Sequence, residues 1–213
     1  MNTNTAIPTK EMKDHNTTEE IFVFDNAVSK NYQNAIKARI QENNFPWFYV
    51  PNVSRRTEGE NRLATDTMGF GHCFYEQGKG SISFVTDFLT PLLYECCAKI
   101  DATPEMVYFA RVIMTVANGS THRNLFHTDM DTAHLVCLYY VNDASGPTVI
   151  LNKTHMDIGR DEVNARDQSE NIACEVNPRQ GRVVLFNGKY FHASTNPESG
   201  RRCIINYDVG PWQ

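Results

Sequence analysis

From residue 107 to residue 208 the chain is a succession of short apolar segments separated by turn-forming residues. Residues 107–116 alternate, which places Phe109, Arg111, Ile113 and Thr115 on one side of an extended strand. Residues 134–141 do the same with His134, Val136, Leu138 and Tyr140. Further segments follow at 148–151, 172–176, 182–186, 190–193 and 203–207, with turns at Asn118-Gly119-Ser120 and over 142–147. Segments this short are stable only when paired with neighbours. A series of them at such spacing predicts a sandwich or barrel.

The first half reads differently. Residues 1–19 are polar, lack an apolar rhythm and are expected to form a flexible tail. Residues 21–24 predict a strand, and Ser29 is placed to cap a helix whose apolar side is Tyr32, Ile36 and Ile40. The aromatic run 45–50 predicts an extended packing edge. Residues 51–82, with Arg55, Arg56, Arg62 and the cluster Gly69-Phe70-Gly71-His72, predict a long surface loop. Apolar residues from Phe84 to Ile100 then recur at three- and four-residue steps, predicting a helix kinked at Pro91 or starting there with Thr90 as its cap. Residues 152–171 are polar and predict a second loop. The expected organisation is a tail (1–19) and one domain (20–213), with helices and loops over 20–106 supporting a β core over 107–213.

His127-Thr128-Asp129 is the motif that carries chemistry. A histidine and a carboxylate two positions apart point the same way from an extended backbone. A third ligand from a distant strand, His192, completes one face of an octahedron and leaves the opposite face open. Two imidazoles and one carboxylate are the ligand set of non-haem Fe(II) oxygenases. Asp131 offers a rival carboxylate in the same turn, and His122 and His134 read as solvent-facing or supporting side chains. Past His192 lie Arg201 and Arg202. Strand alternation lets only one of them face a pocket, and Arg202 shares its side with Ile204 and Asn206. Arg111 shares the side of Thr115 and is a candidate substrate contact or a plain surface arginine. The open side of such a site must be covered during turnover, and the two polar segments, 52–80 and 152–171, are long enough to do so.

Composition narrows the setting. The net charge is −5 and the sequence pI about 5.8, which argues against a dedicated nucleic-acid binder without excluding a local basic patch. None of the six cysteines forms a Cys-x-x-Cys pair and no secretory signal precedes them, so they are expected to be reduced, buried residues of a cytoplasmic protein. No run reaches the ~18 apolar residues of a membrane span. The oligomeric state is not legible.

With these residues in place, the stretch 107–208 resembles the 2-oxoglutarate- and Fe(II)-dependent oxygenases, and within them the prolyl-hydroxylase branch. Those enzymes have a double-stranded β-helix, a His-x-Asp on an early strand, a distal His and a basic residue shortly after it. His127, Asp129, His192 and Arg202 stand in that order. The segment 135–142, with Tyr139-Tyr140, and the tract 181–186 are similar to that branch as well. In the aromatic stretch Phe45-Pro46-Trp47 and in its small size the chain is also similar to oxygenases encoded by marine bacteriophages. The resemblance implies a mainly β jelly roll with N-terminal helices packed on the sheet. It implies Fe(II) held by His127, Asp129 and His192. The co-substrate 2-oxoglutarate would be held by Arg202 and Tyr140, with Thr115 where the branch usually has a tyrosine, and O2 is the oxidant. It further implies oxidative decarboxylation to succinate and CO2 coupled to hydroxylation of a C–H bond. Related halogenases have a small residue where Asp129 stands, so the carboxylate implies hydroxylation. The substrate is a small molecule or a protein side chain of unspecified identity. Two other classes compete: a cupin-like metal-binding jelly roll with a non-oxygenase, sensing or binding role, and a non-catalytic interaction module.

Overall fold

A computed structural model describes residues 20–53, 68–119 and 123–210. Their strands are β1 (Ile21–Phe24), β2 (Phe48–Val50), β3 (Gly69–Glu76), β4 (Gly80–Ser81), β5 (Met106–Val116), β6 (Leu135–Tyr140), β7 (Thr148–Thr154), β8 (Ile172–Val176), β9 (Val183–Asn187), β10 (Tyr190–Ser194) and β11 (Arg201–Gly210). The helices are α1 (Lys30–Ile40), α2 (Thr86–Cys97) and α3 (Arg160–Ala165). One sheet runs β1-β9-β6-β11-β5-β3-β2, with β4 paired to β3, and a smaller one runs β10-β7-β8. All pairings are antiparallel. The segment ending at His127 lies along the free edge of β10 through bridges Arg123↔Thr195 and His127↔His192. The chain thus passes back and forth between two facing sheets, which is a double-stranded β-helix, or jelly roll.

Alternation along the central strands builds two cores. On β6, Cys137 and Tyr139 face outward into a cluster with Ile36 of α1, Leu89, Leu92, Cys96 and Cys97 of α2, and Tyr207 of β11. Val136, Leu138 and Tyr140 face inward, against Ile150, Val176, Val184 and Ile204. Every residue of β6 is buried, because one face meets helices and the other meets the second sheet. Each such apolar side chain contributes about 1.5–3 kcal/mol on burial. All six cysteines are free, and four of them are buried. Ser29 caps α1 as its sequence predicts, its hydroxyl accepting from the Tyr32 N–H at 3.3 Å.

Three expectations are corrected. Residues 69–76 are a strand of the main sheet, not part of a loop. The reason is close approach: a Cβ on Gly69 would lie 2.7 Å from the Met114 carbonyl oxygen and from Val53 Cγ1, and one on Gly71 would lie 3.1 Å from Val50 Cγ2. Glycine here admits a neighbouring backbone and does not signal a turn. The helix of residues 84–100 does not start at Pro91: it starts at Thr86 and holds Pro91 inside it, and the Thr90 hydroxyl, in place of capping, donates to the Thr86 carbonyl at 2.8 Å. Residues 152–171 hold the end of β7 and all of α3, whose Val163 is fully buried. Among the described residues no helix is long and apolar enough to cross a membrane. The tail expected over 1–19, the arginines at 55, 56 and 62, and His122 lie outside the described residues.

Candidate metal centre

The motif segment is held straight by its neighbours. His127 donates its N–H to the His192 carbonyl at 3.0 Å and accepts from the His192 N–H at 2.9 Å, while the Asn124 N–H donates to Ser194 at 2.8 Å. On its other side, α3 clasps it: Asn164 Oδ1 accepts from the Phe126 N–H at 2.7 Å and Nδ2 donates to the Phe126 carbonyl at 2.9 Å. The Phe126 ring points away from the pocket into a small core with Val149, Leu151, Val163 and Phe191. With Phe126 turned outward, His127 and Asp129 face inward.

The ligand atoms of His127, Asp129 and His192 all lie within 4.8 Å of one another. The two rings are 4.5 Å apart. His127 Nδ1 is 3.1 Å from the Leu125 carbonyl and His192 Nδ1 is 3.3 Å from that of Tyr190. A carbonyl can only accept, so in each ring Nδ1 carries the proton and Nε2 turns to the pocket. His192 Nε2 then stands 3.4 Å from Asp129 Oδ2. A lone pair facing a carboxylate is repulsive unless a proton or a cation lies between them. Burial, together with the adjacent His192, pushes the His127 imidazole down to about 3, so it is neutral at physiological pH. Burial alone would raise the Asp129 carboxyl. The Arg111 guanidinium, 2.9 Å from Oδ1, opposes that effect, and the carboxyl is held well below the ordinary carboxylate range. Neutral imidazole and ionised carboxylate are the forms that bind a metal ion. Asp131 is exposed and outside this group. His134 is buried behind Asp129 together with Asp208, the three sharing a second convergence of ligand atoms.

Register sets the remaining wall. Thr115 of β5 pairs with Arg202 of β11, Ile113 with Ile204, and Arg111 with Asn206. All six line the same pocket as the two histidines and Asp129. Arg202 is 2% exposed, whereas Arg201 is on the surface, as alternation predicts. Arg202 Nη2 donates to Thr148 Oγ1 at 2.7 Å, but its buried Nε–H has no acceptor among the described residues. Burial lowers the guanidinium's affinity for its proton, and the neighbours that offset this are Tyr140 and Cys203, not a carboxylate. The Thr115 hydroxyl is likewise buried without a partner among the described residues. Tyr140 lies beneath this end, its hydroxyl 2.7 Å from Thr148 Oγ1 and 3.3 Å from the Val176 carbonyl. It reaches the pocket through Thr148 and through Arg202, whose Cζ lies 5.5 Å from the centre of its ring. Arg111, weighed above as a substrate contact or a surface arginine, donates from Nη2 to Asp129 Oδ1 at 2.9 Å.

Three contributors escaped the sequence reading. Thr148 and Asn164 carry no spacing signal, since an isolated threonine or asparagine is common in any chain. Val53 lines the pocket because Gly69 lets it lie across the sheet, and Gly-x-Gly beside alternating residues is the signal that could have found it.

No protein-family model matches the chain, and no curated protein matches it in sequence. Solved structures are. A 2OG-Fe(II) oxygenase family oxidoreductase from Burkholderia pseudomallei superposes with a TM-score of 0.62 at 11% identity, covering 91% of this chain and 86% of that one. The non-heme alpha ketoglutarate dependent carbocyclase SnoK from nogalamycin biosynthesis gives 0.60 at 14%, covering 89% and 79%. A Pseudomonas putida prolyl-4-hydroxylase gives 0.56 at 12%, covering 92% and 94%. At such identities the likeness is one of fold: this chain is built on the double-stranded β-helix of the 2OG-Fe(II) oxygenases.

Proposed function

We propose that the protein is an Fe(II)- and 2-oxoglutarate-dependent oxygenase that hydroxylates a C–H bond of a small molecule or a protein side chain. The observation that carries this reading is the pairing of two features in one pocket. Two imidazole nitrogens and a carboxylate converge at one end, and a buried arginine with no carboxylate partner among the described residues stands at the other. The first feature fits a divalent ion; the second fits a carboxylate, which a guanidinium meets through two parallel N–H donors.

His127, Asp129 and His192 would hold the metal through Nε2, one carboxylate oxygen and Nε2. Bound together, Fe(II), 2-oxoglutarate and O2 supply the oxidising power, with succinate and CO2 as by-products. Arg202 neutralises the distal carboxylate of the co-substrate. Thr148 fixes the plane of that guanidinium, Tyr140 orients Thr148, and the Thr115 hydroxyl adds a donor at the same end. Leu138 and Ile204 make the floor apolar and keep water from the reacting carbon. The bonds from His127 Nδ1 and His192 Nδ1 to the Leu125 and Tyr190 carbonyls keep both rings in their metal-binding tautomer without a proton shift.

The fold is shared by a carbocyclase and a prolyl-4-hydroxylase, so the likeness does not select hydroxylation; Asp129 supports it over halogenation, where a small residue stands at that position. Free thiols and a labile ferrous ion suit a reducing cytoplasm. The test is anaerobic titration of Fe(II)-loaded protein with 2-oxoglutarate, followed by succinate measurement after O2 is admitted with candidate substrate pools. Metal binding with no 2-oxoglutarate affinity would replace this reading by the cupin-like one.

A further inference from the structure

The two oxygens of Asp129 are used differently. Oδ2 faces His192 Nε2 at 3.4 Å, on the side where the imidazoles converge. Oδ1 is turned the other way and accepts from Arg111 Nη2 at 2.9 Å. The carboxylate is 3% exposed and the arginine side chain 18%, so water competes weakly for this bond. Arg111 is itself fixed. It sits in register between Cys73 of β3 and Asn206 of β11, with its Cζ 5.5 Å from the centre of the Phe109 ring.

A carboxylate beside a divalent ion can bind through one oxygen or chelate through both. Resting on the metal reading above, we propose that Arg111 is a positioning residue that keeps Asp129 a one-oxygen ligand. Chelation would turn Oδ1 toward the ion and draw its charge away from the guanidinium, weakening a shielded hydrogen bond and ion pair. Oδ1 therefore stays with Arg111, and Oδ2 alone meets the metal. The consequence is a count of positions. Two imidazoles and one carboxylate oxygen occupy three positions of an octahedral ion and leave three open, whereas a chelating Asp129 leaves two. A co-substrate binding through two atoms and an oxidant need all three. Arg111 thus protects the position on which the oxidant depends, without touching it.

The experiment counts water on Mn(II) bound to the full chain, by electron paramagnetic resonance line-broadening in 17O-enriched water with no co-substrate present. The wild type is expected to show three waters and Arg111→Met two. Arg111→Lys, which returns one N–H donor to Oδ1, should show three again. Arg111→Ala gives a second arm if the methionine variant does not fold: one water lost alone, and regained when guanidinium ion fills the space. Three waters in both the methionine and the alanine variants would overturn the proposal while leaving the metal site intact. A wild-type chain that binds no Mn(II) would overturn both this proposal and the metal reading.

Discussion

His127 and His192 are paired across an antiparallel bridge in which each donates its N–H to the other's carbonyl, at 3.0 and 2.9 Å. Residues 65 positions apart in sequence are thereby held as direct cross-strand neighbours. Side chains on directly opposed residues leave the sheet on the same face, which is why the two rings come to 4.5 Å.

This geometry predicts that the site depends on side chains and the fold does not. His127→Ala, Asp129→Ala and His192→Ala should each lose bound metal while keeping the wild-type circular dichroism, because the bridge is made by backbone groups. Asp131→Ala, at an exposed position, should retain metal. Metal content after desalting checks all four. Retention in Asp129→Ala with loss in Asp131→Ala would transfer the carboxylate role to Asp131.

Arg202→Ala should weaken 2-oxoglutarate binding by about 3–5 kcal/mol, the cost of leaving a buried carboxylate without its partner. Arg201→Ala, on the solvent side, should cost less than ~1 kcal/mol. Tyr140→Phe removes one hydrogen bond to Thr148 and should fall between, near 1–3 kcal/mol as an order of magnitude. Calorimetric titration separates the three, and equal losses at 201 and 202 would contradict the burial difference.

The His127 imidazole, pushed down to about 3 by burial and His192, makes the metal-free protein acid-sensitive. Below the ordinary histidine value near 6.5 the unfolded chain takes up a proton that the folded chain refuses. Stability then falls as pH drops, by about 1.4 kcal/mol per pH unit from that value down to about 3. Asp129, held low in the fold, adds to the loss below its own ordinary value. Urea midpoints of chelator-treated protein from pH 7 to pH 4 should show the slope, and His127→Gln should flatten it above pH 4. An unchanged slope in that variant would assign the acid sensitivity elsewhere.

Asn164→Ala removes both hydrogen bonds to the Phe126 backbone. A loss of about 1–3 kcal/mol in stability is expected for the buried groups left unpaired, with faster amide exchange at Phe126 and weaker metal binding. Wild-type exchange rates at Phe126 would count against the clasp.

Gly69→Ala would set a methyl 2.7 Å from the Met114 carbonyl and from Val53. Since the backbone contact cannot give way cheaply, a loss of about 1–3 kcal/mol is expected. The Ala variant should also show altered 2-oxoglutarate affinity through displaced Val53. Denaturation midpoints and titration together check both.

The alternation on residues 107–116 and 134–141 was readable because a strand buried on one or both faces repeats every two residues whatever its partners are. The same period ranked Arg202 above Arg201 without knowledge of the fold. Ser29 and the stripe of α2 were readable because capping and helical spacing are local. What escaped has one cause: it depends on neighbours distant in sequence. Gly69 and Gly71 have the composition of a turn, and only the approach of Val53, Val50 and β5 makes them a strand. Pro91 reads as a kink or as a helix start, and packing of Leu89, Leu92 and Leu93 into the core keeps α2 continuous through it. Residues 152–171 are polar enough for a loop, yet Val163 and Asn164 are drawn onto Phe126. The residue types for a metal and a carboxylate were thus written in the sequence, as was the order in which they occur. Their convergence was decided by tertiary structure, because the His127–His192 bridge, the Thr115–Arg202 register and the bond of Asp129 to Arg111 join separate segments of the fold, and no local stretch of chain contains them.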